Sequence, residues 1–204
     1  MLKRNTFIFI AFCIIALLAG FFLSQAVPPG TPQLQTATLF PEDFRPLADF
    51  ELSDHSGQTF NRHQFEGKWS LVFFGYTFCP DICPMTLSIL NEVEKNLQRD
   101  NVQTILVSVD PTRDTPDRLH DYLAFFNPEF IGLTDTTAEH SEIKKLAGSL
   151  GVFYSEPSDS EEENYLVDHS AGIFLINPRS RVHALFSAPH HADIIARDIE
   201  AIIN

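Results

Sequence analysis

The stretch Phe73-Phe74-Gly75-Tyr76-Thr77-Phe78-Cys79-Pro80-Asp81-Ile82-Cys83-Pro84 constrains the fold of this chain more than any other. It follows Ser70 to Phe74, a short apolar run of the kind that fills a central strand buried on both faces. Leu87, Leu90, Val93 and Leu97 then recur at helical spacing and mark one buried helix face. Pro84 suits the first position of that helix, where a missing N–H costs nothing. A strand, a loop with two cysteines and a helix therefore follow one another directly. Two thiols separated by three residues can close a reversible disulfide or grip a soft metal ion.

The remaining pattern alternates strands with helices. Asp49 to Leu52 and Gln58 to Phe60 flank a turn at Asp54-His55-Ser56-Gly57. Thr104 to Val109 reads as the next buried strand. Thr115-Pro116 opens a helix running to about Phe126, with Thr as cap and Pro at the first helical position. Phe130 to Leu133 is a further short strand. Thr136 and Glu139 read as a capping box for a helix that stops before Gly151. Gly172 to Ile176 and Val182 to Phe186 form a hairpin turning at Asn177-Pro178. His191 to Ile203 closes the chain as a helix with Ile195, Ile199 and Ile202 on one face. This order predicts an α/β fold with a partly parallel sheet covered on both faces. The early strand–cysteine–helix unit and the late hairpin plus helix point to a thioredoxin-like fold, a central mixed sheet flanked by helices.

The N-terminus has a different character. Lys3-Arg4 precedes an apolar run from Phe7 to Leu23, 17 residues, near the lower limit for crossing a hydrocarbon core of roughly 30 Å. The positive flank holds the N-terminus in the cytoplasm and sends the rest across. Residues 1–26 are therefore expected to be a single transmembrane anchor in the inner membrane, with the domain facing the periplasm. Ser24-Gln25-Ala26 also resembles a cleavage site, so a signal peptide competes with the anchor. Residues 27–44, with Pro28, Pro29, Gly30 and Pro32, read as a partly stiff linker, and residues 45–204 as the folded domain. Net charge is −13, and no acid precedes Glu42. Beyond Arg4 the chain has 12 basic and 27 acidic residues. That balance disfavours nucleic acid, whose phosphates need a basic face, and suits a basic partner or simple solubility. The acidic segment Ser155–Asn164 has no apolar residue and reads as a solvated loop.

Redox pairs of the thioredoxin type are spaced Cys-x-x-Cys. Here one more residue and two prolines are expected to keep both sulfurs on a loop ahead of the helix. Such a loop can still close a disulfide, or it can aim both sulfurs at one ion. Thiolates favour Cu(I), or Zn(II) where more ligands are available. Two thiolates and a neutral imidazole would give Cu(I) a three-coordinate shell of net charge −1. Of eight histidines, His169 has a distinctive setting, Tyr165-Leu166-Val167-Asp168-His169-Ser170, just before an apolar strand. Asp168 could orient or tune the site from behind it. His190-His191 reads as a solvated helix cap. Cys13 lies in the apolar run with no obvious partner.

Three blocks then carry a resemblance: Gly75 to Pro84, Ser108-Val109-Asp110-Pro111-Thr112-Arg113-Asp114-Thr115-Pro116, and Val167-Asp168-His169-Ser170. Together, over about residues 45–204, they resemble the Sco/SenC family of membrane-anchored copper chaperones for cytochrome c oxidase assembly. Thr112 departs from the acid more usual there. The resemblance implies that Cys79, Cys83 and His169 are copper ligands for Cu(I), with Cu(II) as a second state. Asp168 and Asp110 would support them. It implies an upstream copper donor protein and delivery to the copper A centre of oxidase subunit II. The alternative function is a periplasmic thiol-disulfide oxidoreductase using Cys79 and Cys83.

Overall fold

The computed structural model describes residues 10, 12–19, 34–42, 44, 46–155 and 165–203. The chain separates into two units, Met1–Gln33 and Leu34–Asn204. In the first, residues 12–19 are helical. Among the described residues no helix is long and apolar enough to cross a membrane. Most of the remaining apolar run, the Ser24–Ala26 segment and Pro28, Pro29 and Pro32 of the linker lie outside the described residues, as does most of the acidic Ser155–Asn164 loop.

The second unit is one eight-stranded mixed sheet flanked by helices. Its strands are β1 (Ala37–Leu39), β2 (Glu51–Asp54), β3 (Thr59–Asn61), β4 (Trp69–Gly75), β5 (Val102–Ser108), β6 (Ile131–Thr134), β7 (Ile173–Ile176) and β8 (Val182–Phe186). Their order is β1-β8-β7-β4-β5-β6-β2-β3. Among the described residues the parallel pairings are β4 with β5 and β5 with β6, and the other neighbours pair antiparallel. β4 and β5 are buried from their second residue onward, as strands covered on both faces must be. Helix α1 (Ile82–Leu97) connects β4 to β5, and α2 (Pro116–Ala124) connects β5 to β6. Both crossovers leave from carboxyl ends of strands, where open α/β sheets place their sites. The register sets Gly75 of β4 beside Ser108 of β5, so the cysteine loop and the Asp110–Asp114 segment emerge side by side.

Three local readings are corrected. Helix α1 begins at Ile82, so Cys83 is its second residue and Pro84 its third. Only Cys79 stays on the loop. Pro84 is tolerated because none of the first N–H groups of a helix has an intrahelical partner. Helix α3 (Ser141–Leu150) is not opened by a Thr136–Glu139 box. Instead Asp135 accepts the amides of Glu142 (2.8 Å) and Ile143 (3.2 Å) while also taking the Thr137 amide and hydroxyl. Burial pushes the Asp135 carboxyl up, but those donors hold it below the usual range. Third, the segment read as linker contains β1, which pairs with β8, so the sheet begins before residue 45.

β1 is fastened by one carboxylate. Asp198, 2% exposed on the closing helix α4 (Ala192–Ile203), accepts the amides of Gln35 (2.9 Å), Thr36 (2.8 Å) and Ala37 (2.9 Å). Burial alone would raise its pKa, yet the donors hold it below the ordinary aspartate value of 3.8. With the folded pKa depressed, this stabilisation is complete well above the ordinary value and is lost as pH falls below it through the lower folded pKa. Asp198→Ala should cost about 2 kcal/mol, since several amides lose their acceptor at once. The measurements are the urea midpoint and amide exchange at residues 35–37. Unchanged protection there would show that β8 alone holds the strand.

Candidate metal centre

After Gly75 the chain leaves the sheet and turns, with the Cys79 amide donating to the Tyr76 carbonyl at 3.3 Å. The Cys83 amide, free of any helical partner at this early position, points at the Cys79 sulfur at 3.4 Å. Both cysteines are free thiols. Cys83 is fully buried and Cys79 half-buried. Burial is the chief cause that pushes the Cys83 thiol well above its usual range; hydrogen bonding with Cys79 and the charges of Cys79 and Asp114 add to it, while the Tyr76 amide opposes it.

Gly75 makes room for this sulfur. A Cβ on Gly75 would lie 2.9 Å from Cys83 Sγ and 2.8 Å from a Phe73 ring carbon, closer than real Cβ contacts. Gly75→Ala should therefore destabilise the domain by about 1–3 kcal/mol, the usual range for overpacking. It should also weaken metal binding by moving one donor. Thermal unfolding together with a copper titration checks both effects; full retention of affinity would show that Cys83 can shift without loss.

His169 lies on the segment entering β7, the strand that pairs with β4 on the side away from β5. It forms a single antiparallel bridge with Tyr154. The Ser155 amide to the Asp168 carbonyl (2.8 Å) and the Ser170 amide to the Phe153 carbonyl (3.0 Å) brace the bridge on both sides. Nδ1 lies 3.2 Å from the Ser170 carbonyl. A carbonyl only accepts, so Nδ1 carries the proton and Nε2 the lone pair. Nε2 is 3.5 Å from Cys83 Sγ. Phe73 and Tyr76 present themselves edge-on to the imidazole, with centroids at 5.9 and 5.8 Å. Burial lowers the His169 pKa, against smaller raising effects from the Ser170 carbonyl and the Asp168 charge. The ring is thus neutral and ready to ligate.

The donor atoms of Cys79, Cys83 and His169 all lie within 4.8 Å of one another. Two metal–sulfur bonds of roughly 2.3 Å span about 4.6 Å end to end, so one ion can meet all three with small adjustments. Among the described residues no other such group exists. Two thiolates and one imidazole suit copper.

The other residues singled out from sequence fall as follows. Asp168 is exposed and acts on His169 by charge alone; the Ser170 carbonyl does the orienting. Asp110 is 4% exposed, pairs with Arg113 and accepts the Tyr165 hydroxyl at 2.6 Å. Arg113 also donates to the Tyr165 carbonyl at 3.1 Å and stacks on the Tyr165 ring with its guanidinium carbon 3.5 Å from the centroid. Asp110 thus secures the approach to His169 rather than touching the donors. His190 donates its Nε2 proton to the Ala171 carbonyl at 2.8 Å and stands outside the group.

Two further sets of hydrogen bonds support the site. Asp114, fully buried, accepts the Thr77 amide (3.0 Å), the Thr77 hydroxyl (2.6 Å) and the Ser108 hydroxyl (2.7 Å), and so holds the start of the cysteine loop. Burial raises its pKa despite these donors. The Tyr76 hydroxyl accepts the Val167 amide at 3.1 Å, tying the cysteine loop to the His169 segment across 91 residues. Nothing in the spacing signals either bond; the side-by-side ends of β4 and β5 create the first.

Residues 41–204 match the family model described as SCO1/SenC. The chain belongs to the SCO1/SenC family. An SCO2-like protein of Rickettsia prowazekii is 34% identical to this SCO1/SenC chain over 193 residues, 91% of each protein. Among solved structures, Arabidopsis thaliana ScoI with copper bound is 31% identical with a TM-score of 0.69, covering 77% of this chain and 98% of that one. Bradyrhizobium japonicum ScoI with copper bound is 33% identical with a TM-score of 0.68, covering 76% and 98%.

Proposed function

We propose that this protein is a membrane-anchored copper metallochaperone. Copper is its cargo, held by Cys79, Cys83 and His169 and passed to the copper A centre of cytochrome c oxidase subunit II during assembly. The observation that carries the reading is the convergence of two sulfurs and a neutral imidazole nitrogen within 4.8 Å. A third donor from a distant segment is superfluous for dithiol exchange and needed for a metal shell. Copper-bound relatives at 31% and 33% identity support the same cargo. A low coordination number suits transfer, because an incoming ligand can bind before an outgoing one leaves. The anchor rests on the apolar run Phe7–Leu23 behind Lys3-Arg4. It would hold the domain in the periplasm, beside a membrane-bound acceptor and an upstream copper donor protein.

The thiol-disulfide oxidoreductase reading draws on the free Cys79 and Cys83. The two activities are linked, since a closed disulfide cannot bind Cu(I). The deciding experiment is Cu(I) titration of the reduced protein with X-ray absorption at the copper edge. About one Cu(I) with two sulfurs and one nitrogen is expected. A shell of oxygen and nitrogen alone would sink the reading. A host deletion strain should lose oxidase activity and regain it with added copper; a normal copper A centre there favours the oxidoreductase.

A further inference from the structure

Arg113 touches both of the segments that carry the metal donors. Its backbone is set by the end of β5. The Arg113 amide donates to the Asp110 carbonyl at 3.1 Å, and the Asp110 amide donates in turn to the Ser108 hydroxyl at 3.0 Å. The buried Asp110 carboxylate pairs with the guanidinium and fixes its direction. From this root the guanidinium lies over two rings. Its carbon is 3.5 Å from the centroid of Tyr165 and 4.4 Å from that of Phe78. Both lie inside the roughly 6 Å at which a cation and an aromatic face attract. Phe78 is the residue before Cys79, and Tyr165 stands four residues ahead of His169. Phe78 is 39% exposed and lies outside the hydrophobic core, so apolar burial does little to fix it. The contacts on its ring are guanidiniums instead, that of Arg113 and that of Arg118, also at 4.4 Å. A planar guanidinium can stack on a ring while it hydrogen-bonds in its own plane, which an ammonium cannot. Arg113 uses both capacities, since it also donates to the Tyr165 carbonyl at 3.1 Å.

We propose that Arg113 is a positioning residue for the metal centre. It clasps the cysteine loop through Phe78 and the histidine segment through Tyr165, and so sets the reach of His169 Nε2 to the two sulfurs. A disulfide needs the cysteine loop alone, whereas a three-donor shell needs loop and histidine segment at one separation. The clasp therefore acts on the sulfur-to-nitrogen geometry and not on the sulfurs by themselves. This inference rests on the reading of Cys79, Cys83 and His169 as metal ligands.

The test uses the full chain with Cu(I) as the probe, and affinity is read by competition with a chromophoric chelator. Arg113→Lys keeps a positive charge beside Asp110 and loses the planar stack. Phe78→Leu removes the ring at a partly exposed position and keeps an apolar side chain there. Each should weaken Cu(I) binding about tenfold. The double variant should lose no more than either single one, because both break the same clasp. In a His169→Ala background each should leave Cu(I) affinity unchanged, since no nitrogen remains to be positioned. A merely structural role would weaken binding by the same factor with or without His169, and that result overturns the inference. Additive losses in the double variant overturn it too, as does wild-type affinity in Phe78→Leu. Should Arg113→Lys fail to fold, Phe78→Leu in the two backgrounds decides alone. A wild-type chain that takes up no Cu(I) overturns the metal-site reading, and this inference with it.

Discussion

His169→Ala is expected to weaken Cu(I) binding by roughly a hundredfold or more, because even partners behind the ligands are worth 10–100-fold. The disulfide between Cys79 and Cys83 should still form in that variant. The two effects separate because the sulfurs are held independently of the imidazole. Cys83 is fixed by helix α1 and by the room above Gly75, and Cys79 by its turn onto Tyr76. Only Nε2 reaches in from the other segment, 3.5 Å from Cys83 Sγ. Chelator competition gives the affinity, and thiol counting after mild oxidation gives the disulfide. Unchanged affinity would move the third ligand elsewhere, with His190 and His191 the next residues to replace. Loss of both properties would show that His169 organises the loop rather than merely completing the shell.

The second large effect is expected at Asp114. Asp114→Ala removes the acceptor from the Thr77 amide, the Thr77 hydroxyl and the Ser108 hydroxyl in a fully buried site. Each orphaned buried donor costs about 1–3 kcal/mol. Part of the wild-type gain is offset by the desolvation of Asp114 itself, visible in its raised pKa. A net loss of about 3 kcal/mol is the expected figure. Thr77 lies two residues before Cys79, so copper affinity should fall with stability, by about ten- to a hundredfold. Urea unfolding with an unchanged slope and a lower midpoint checks the first effect; chelator competition checks the second. A stable variant with weakened copper binding would mean that the network exists for the site and not for the fold.

Much of this architecture is legible in the sequence because its strands are short and apolar and its helices amphipathic. Ser70–Phe74 and Thr104–Val109 stand out as buried runs, and Leu87, Leu90, Val93 and Leu97 line the buried face of α1. The grouping of Cys79, Cys83 and His169, whose donor atoms lie within 4.8 Å of one another, is legible residue by residue, since the three blocks are distinctive. Boundaries were harder to read. Pro84 is permitted anywhere in the first turn of a helix, so its presence did not locate the start. Thr136 and Glu139 have the spacing of a capping box, but Asp135 has more donors within reach and takes them. β1 is hidden among the polar and small residues of a linker, because what holds it is Asp198, more than 160 residues away. The Tyr76–Val167 bond is a tertiary fact with no local pattern at all.

The unequal burial of the two cysteines gives any disulfide between them a direction. A reducing thiolate can approach the half-buried Cys79 sulfur, while Cys83 is sealed from solvent. The new sulfur–sulfur bond would form at Cys79, and Cys83 would depart with the electron pair. Burial makes Cys83 a poor leaving group, because thiols of high pKa leave slowly. Once oxidised, the pair is therefore guarded kinetically. A small unspecific reductant would open it sluggishly, and a partner able to ease the departing charge would open it fast.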